Sequence, residues 1–136
     1  MSGKISIPAT IASVVLLALP ALGLAALPKK GSLLEGTLHD SGVTALTKPV
    51  DLKVAPTGKT ARFTWWCGKQ QTLSNRYSIT VAIKADGTFA GTNNVGSLTV
   101  WTVKGRFLSP TSARASLRLI SICDAKGGLV TLKSAS

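Results

Sequence analysis

Ala113-Arg114-Ala115-Ser116-Leu117-Arg118-Leu119 is small or apolar at every odd position and Arg or Ser at every even one. Side chains on a strand alternate between its two faces, so this is a half-buried β-strand and not a helix. Extended to Cys123, the inward set is Ala115, Leu117, Leu119, Ser121 and Cys123, and the outward set begins Arg114, Ser116, Arg118. The segment before it has the same period. Trp101, Val103 and Phe107 point inward from Leu98–Leu108, with Thr102, Lys104 and Arg106 outward, and Ser109-Pro110-Thr111-Ser112 supplies a hairpin turn between the two.

Working outward from this hairpin, no helical period lasts ten residues anywhere after Lys30. Further candidate strands are Leu33–His39, Val50–Val54, Thr60–Cys67, Tyr77–Ala85, Thr88–Thr92 and Leu129–Ser134. About eight short strands suit an all-β antiparallel sandwich or a small barrel, and the expectation is a β-sandwich closed by one disulfide. Asp86-Gly87 tolerates the positive φ that a two-residue hairpin needs, which pairs Tyr77–Ala85 with Thr88–Thr92. Pro56-Thr57-Gly58 and Lys126-Gly127-Gly128 mark further turns, and Gly68–Asn75 and Asn93–Ser97 read as polar loops. In the strand ending at Cys67, Phe63 and Trp65 share the inner side, while Arg62, Thr64 and Trp66 share the outer one.

The N-terminus has a different composition. Ile11 to Leu27 is a seventeen-residue run without a charge, preceded only by Lys4 and containing Pro20 and the small residues Ala21, Gly23, Ala25 and Ala26. This is the pattern of a signal helix with its cleavage site, and it divides the chain into a signal peptide (1–26) and a secreted domain (27–136). The alternative is an uncleaved membrane anchor, favoured by Lys29 and Lys30 just past the run but opposed by Pro20 and Gly23. After cleavage no membrane contact is expected.

Sixteen Lys and Arg against five Asp and Glu give a formal charge of +11, and removing residues 1–25 takes away only Lys4, leaving +10 on the domain. An anionic partner follows more readily than a cationic one. Cys67 and Cys123 are the only cysteines, fifty-six positions apart in the exported part, and should form a disulfide, with two buried free thiols as the alternative. Their number and spacing exclude a zinc site.

The runs Ile83-Lys84-Ala85-Asp86-Gly87-Thr88-Phe89-Ala90-Gly91, Val103-Lys104-Gly105-Arg106-Phe107 and Ala113-Arg114-Ala115-Ser116-Leu117-Arg118, with the late Cys123, resemble a pattern of secreted bacterial, especially actinobacterial, β-sandwich proteins. It comprises a "dGtF" hairpin, a "GrF" strand and a return strand, over roughly residues 36 to 133. Ala115 stands where that family tends to have glycine, and Val130-Thr131-Leu132 replaces a more usual tryptophan-containing strand. The resemblance implies a secreted β-sandwich of poorly characterised role and carries over no active site.

Lys104 and Arg106 lie across from Arg114 and Arg118 in either in-phase register of the hairpin, gathering four like charges on one face with no acid in either strand. They are candidate anion-binding residues for a phosphate-, sulfate- or carboxylate-bearing polymer; the bland alternative is a solvated face that keeps the domain soluble. Trp66, with Arg62 and Lys69 near it in sequence, is a candidate stacking residue, or else an aromatic covered by a loop. Specific nucleic-acid recognition is not expected, since no helix-turn-helix, zinc-finger or RNP-type motif is present. No cofactor is implied. His39-Asp40-Ser41 contains triad residue types, but neighbours on a strand face opposite ways. Glu35, Asp40, Asp51, Asp86 and Asp124 offer no carboxylate couple whose separation the sequence defines. The reading is a non-catalytic binding module of the envelope or extracellular space. Its alternatives are a protein-protein interaction or structural envelope protein, marked by an apolar patch around Trp66, Ile120 and Ile122, and a weak hydrolase using His39.

Overall fold

The computed structural model describes residues 26–40, 47–68, 70–120, 122–123 and 125–135, so the segment expected to be a signal peptide, apart from Ala26, lies outside the described residues, as does Ser121. Among the described residues there are eight strands: β1 (Leu33–His39), β2 (Thr47–Val54), β3 (Thr60–Trp66), β4 (Arg76–Ala82), β5 (Thr88–Val95), β6 (Leu98–Ser109), β7 (Ser112–Leu119) and β8 (Gly127–Ser134). All pair antiparallel in one continuous sheet of order β4-β3-β2-β1-β8-β7-β6-β5. The all-β, disulfide-closed architecture expected from the alternation is present. The two layers are the halves of a single sheet curled on itself, β1 to β4 facing β5 to β8.

The curl is set by what each strand turns inward. Leu34 and Leu38 of β1, Val50, Leu52 and Val54 of β2, Phe63 and Trp65 of β3, Trp101, Val103 and Phe107 of β6 and Leu117 of β7 are essentially without exposure. The halves meet through aromatic rings. Trp65 lies edge-on to Trp101 at 5.8 Å between centroids and Phe63 stands 6.4 Å from Trp101, contacts each worth about 0.5–1.5 kcal/mol beyond the area they bury. Cys67 and Cys123, with Cα atoms 5.8 Å apart, form the expected disulfide between the end of β3 and the loop after β7.

At the edges, β4 and β5 approach each other and bring the sheet close to a barrel. Gly91 of β5 makes this approach possible, because a Cβ there would stand 2.8 Å from Val81 Cγ1 and 3.1 Å from Ile79 Cδ1 of β4. The expected pairing of the Tyr77–Ala85 and Thr88–Thr92 strands through Asp86-Gly87 is therefore corrected. A turn does form there, with Gly87 N donating to Lys84 O at 2.8 Å and Lys84 N to Thr88 O at 2.9 Å, and with Gly87 at φ +83°. Beyond it the chains part. Ile83 N donates to Lys59 O and Phe107 N to Gly87 O, so the segment before the turn is held by the β3 side and the segment after it by β6.

Three strands run two or more residues past the sequence pattern: β8 starts at Gly127, so Gly127-Gly128, read above as a turn, pairs with β7, and β2 and β5 are extended as well, while β7 stops at Leu119, short of Cys123. β2 begins at Thr47, which takes Pro49 into the sheet. The β3 ladder starts only at Val50, so the residue without an N–H sits where β2 has β1 as its sole partner. β5 continues through Asn93–Val95, read above as loop, past a bulge between Asn93 and Asn94 that absorbs these poor strand formers. Among the described residues of Gly68–Asn75 the one regular element is a short 3-10 turn, Leu73–Asn75.

Candidate functional site

The β6–β7 hairpin presents its basic residues as the alternation requires. Lys104, Arg106, Arg114 and Arg118 are all exposed, while their sequence neighbours Val103, Phe107, Ala113, Ala115, Leu117 and Leu119 are buried. The turn is closed by a 2.7 Å hydrogen bond between the Ser109 and Ser112 hydroxyls. Register then places Arg106 directly across from Arg114, Lys104 across from Ser116, and Thr102 across from Arg118. One like-charged pair is thus in direct opposition, and the other two cations alternate with small hydroxyl residues.

The flanking strands add no counter-charge. On the β5 side Thr88 stands beside Arg106 and Ala90 beside Lys104; on the β8 side Thr131 stands beside Arg114 and Leu129 beside Ser116. Lys104, Arg106, Arg114, Ser116 and Leu129 together line an open depression of about 250 Å³, which Arg118, one row further on, does not reach. Leu129 is 68% exposed and gives the depression an apolar patch among the guanidinium groups. Gly105 sits beneath, where a Cβ would meet Phe89 Cζ at 2.5 Å and the Arg114 carbonyl at 2.6 Å. The bare position lets the Phe89 ring pack under the face, 5.5 Å from Phe107.

Trp66 does turn to the outer face, but it is only 8% exposed, so it packs and presents no open ring platform. It forms part of a second depression of about 190 Å³, with Asp51, Arg62, Thr64, Arg76 and Ser78. Ile120 and Ile122 are half-buried, so no exposed apolar patch surrounds Trp66. Among the described residues the exposed large apolar side chains are elsewhere: Leu27 ahead of β1, Leu73 in the 3-10 turn, Val95 and Leu98 at the β5–β6 tip, Leu108 near the end of β6, and Leu129.

The carboxylates are dispersed in role. Asp40 is buried and accepts hydrogen bonds from the amides of Lys126 and Gly127 at 3.0 and 2.6 Å, holding the β7–β8 loop. Asp86 accepts from the Thr88 hydroxyl at 2.6 Å and the Thr88 amide at 3.0 Å, and these bonds hold its pKa below the ordinary carboxylate value. Glu35 and Asp51 oppose each other across β1 and β2. Burial, and then the Glu35 charge, push the Asp51 pKa up. Glu35 does not line the Asp51 depression, so the pair does not converge on a common cavity. His39 is exposed while Asp40 points into the protein, as strand alternation requires; Ser41, Lys69 and Asp124 lie outside the described residues. Among the described residues no three His, Cys, Asp or Glu side chains gather where they could hold a metal.

Two buried groups escaped the sequence reading. Asp40 meets its loop partners more than eighty residues away, for which no local pattern exists. Lys48 is 1% exposed, and its Nζ, like Trp65 Nε1 and Trp101 Nε1, has no hydrogen-bond partner among the described residues. It shares the parity of Val50, Leu52 and Val54, a signal that extending the β2 alternation past Pro49 would have shown. No protein-family model and no curated protein matches the chain. The disulfide suggests a non-cytoplasmic environment, and among the described residues no helix is long and apolar enough to cross a membrane.

Proposed function

We propose that the chain is an exported, non-catalytic binding module that contacts anionic polymers of the cell envelope or extracellular space through Lys104, Arg106, Arg114 and Arg118. The observation that carries this reading is the direct opposition of Arg106 and Arg114 within rows that contain no acid. Like charges facing each other cost a sheet roughly 0.2–1 kcal/mol, and a bound polyanion offsets that cost. Guanidinium forks suit carboxylate, sulfate and phosphate groups alike, and Leu129 offers an apolar contact to the polymer between its charges. The disulfide, the charge-free N-terminal run and the resemblance to secreted bacterial β-domains support export.

The test is binding of dextran sulfate to the domain across a salt series. Affinity should fall steeply with salt, and the K104S/R106S/R114S/R118S variant should lose most of it with the fold intact. Salt-independent binding, or an unchanged affinity in the variant, overturns the reading. A protein partner is the second reading, favoured by Val95 and Leu98, which face each other at the β5–β6 tip with both side chains mostly exposed.

A further inference from the structure

We infer that the depression on the outer face of β2, β3 and β4 is a binding site for a singly charged, polyhydroxylated carboxylate, of which a uronic acid unit is the type. This site lies across the β4–β5 seam from the basic hairpin face and does not depend on what that face binds.

Register gives the depression its plan. Ser78, Thr64 and Asp51 form one cross-strand row, Arg76 and Trp66 the row on one side of it, and Thr80 and Arg62 the row on the other. The two guanidinium groups therefore bracket a floor of hydroxyls. At about 3.3 Å per residue the Arg62 and Trp66 positions on β3 are roughly 13 Å apart, and arginine side chains leaning in from both ends narrow that span to one small group. The volume of about 190 Å³ lies below the roughly 300 Å³ at which pockets begin to enclose drug-sized ligands. A single sugar-sized unit fits this scale; a folded chain does not.

The chemistry of the lining selects further. Neither the Arg62 nor the Arg76 guanidinium makes a hydrogen bond or ion pair among the described residues, although Asp51 borders the same hollow. Their donors are left for a ligand, and a planar fork matches a carboxylate. Asp51 is an acceptor, suited to ligand hydroxyls, and its negative charge opposes a dianion such as phosphate. Thr64 and Ser78 donate to or accept from hydroxyls, and the largely buried Trp66 forms an apolar part of the lining. Two cations, one anion, two hydroxyls and an indole thus complement one carboxylate carried on a hydroxylated ring.

The experiment uses the disulfide-bonded domain, isotopically labelled, with the Trp66 indole N–H resonance assigned by its loss in W66F. D-glucuronate, D-glucose, acetate and inorganic phosphate are titrated separately, which separates sugar carboxylate from sugar and from carboxylate alone. Glucuronate should shift the Trp66 indole and bind about ten-fold or more tighter than the other three, the scale expected for added charged hydrogen bonds. R62Q and R76Q should each weaken it about ten-fold or more, and D51N should let phosphate compete. K104S/R106S/R114S/R118S should leave the glucuronate-induced shift of the Trp66 indole unchanged, so failure here is separable from failure of the polyanion reading. Acetate or phosphate binding as well as glucuronate, or R62Q and R76Q variants with native thermal unfolding and undiminished glucuronate binding, would overturn the inference.

Discussion

Replacing Lys48 by Met should stabilise the fold. Lys48 stands on the inner side of β2 across from Leu38, is 1% exposed, and its ammonium has no hydrogen-bond partner among the described residues. Taking such a group out of water costs several kcal/mol even after relaxation, and a partner is needed to offset it. Methionine preserves the unbranched, flexible shape and removes the charge. Exchanging buried ionic groups for apolar ones of similar volume gains about 1–4 kcal/mol. In a domain of this size each kcal/mol moves Tm by roughly 4 °C, so K48M should melt about 4–16 °C above the parent protein. Urea unfolding with the disulfide intact is the assay, and an unchanged m-value would show that the gain lies in the native state. A K48M protein less stable than the parent by more than about 1 kcal/mol refutes the reasoning, because only the loss of a real partner has that sign.

Removing the Asp40 carboxylate in D40A leaves two loop amides without their acceptor. At about 1.5–3 kcal/mol for each hydrogen bond to a charged group, a loss of about 3–6 kcal/mol is expected, with faster amide exchange at Lys126 and Gly127. Replacing both cysteines by alanine opens a loop of 56 residues and should cost about 4 kcal/mol on the chain-entropy account, measured by the urea midpoint. Asp86 has a lowered folded-state pKa, so its contribution is present above the ordinary carboxylate range and is lost as pH falls through the folded value. Accordingly, D86N should lower Tm at pH 7, and a gap that failed to close in strong acid would contradict that sign.

Strand identity and face were legible wherever alternation ran unbroken. Ala113–Leu119 and the segment carrying Trp101, Val103 and Phe107 turn inward what their period assigns, and the four hairpin cations stand outside. Pairing was less legible. Asp86-Gly87 has hairpin chemistry, yet local turn chemistry cannot register that β3 and β6 claim the two flanking strands through bonds made elsewhere in the chain. The basic face could be read because its residues are close in sequence. The Asp51, Arg62 and Arg76 hollow could not, since its members come from three strands whose alignment only the folded register defines. Asp40 and Lys48 were hidden for the same reason: their roles depend on burial and distant amides.

The strand order has a kinetic consequence. Around the sheet, β1 to β4 and β5 to β8 are each a run of successive neighbours, and among the described residues the one pairing between strands far apart in sequence is β1 with β8. Most loop-closure entropy is therefore deferred to a single late docking of two locally assembled meanders. The Cys67–Cys123 bond ties one meander to the other. Once formed, it converts that docking from a search over a free chain into a short tethered one, so the oxidised protein should refold faster than the reduced protein while its unfolding rate changes little.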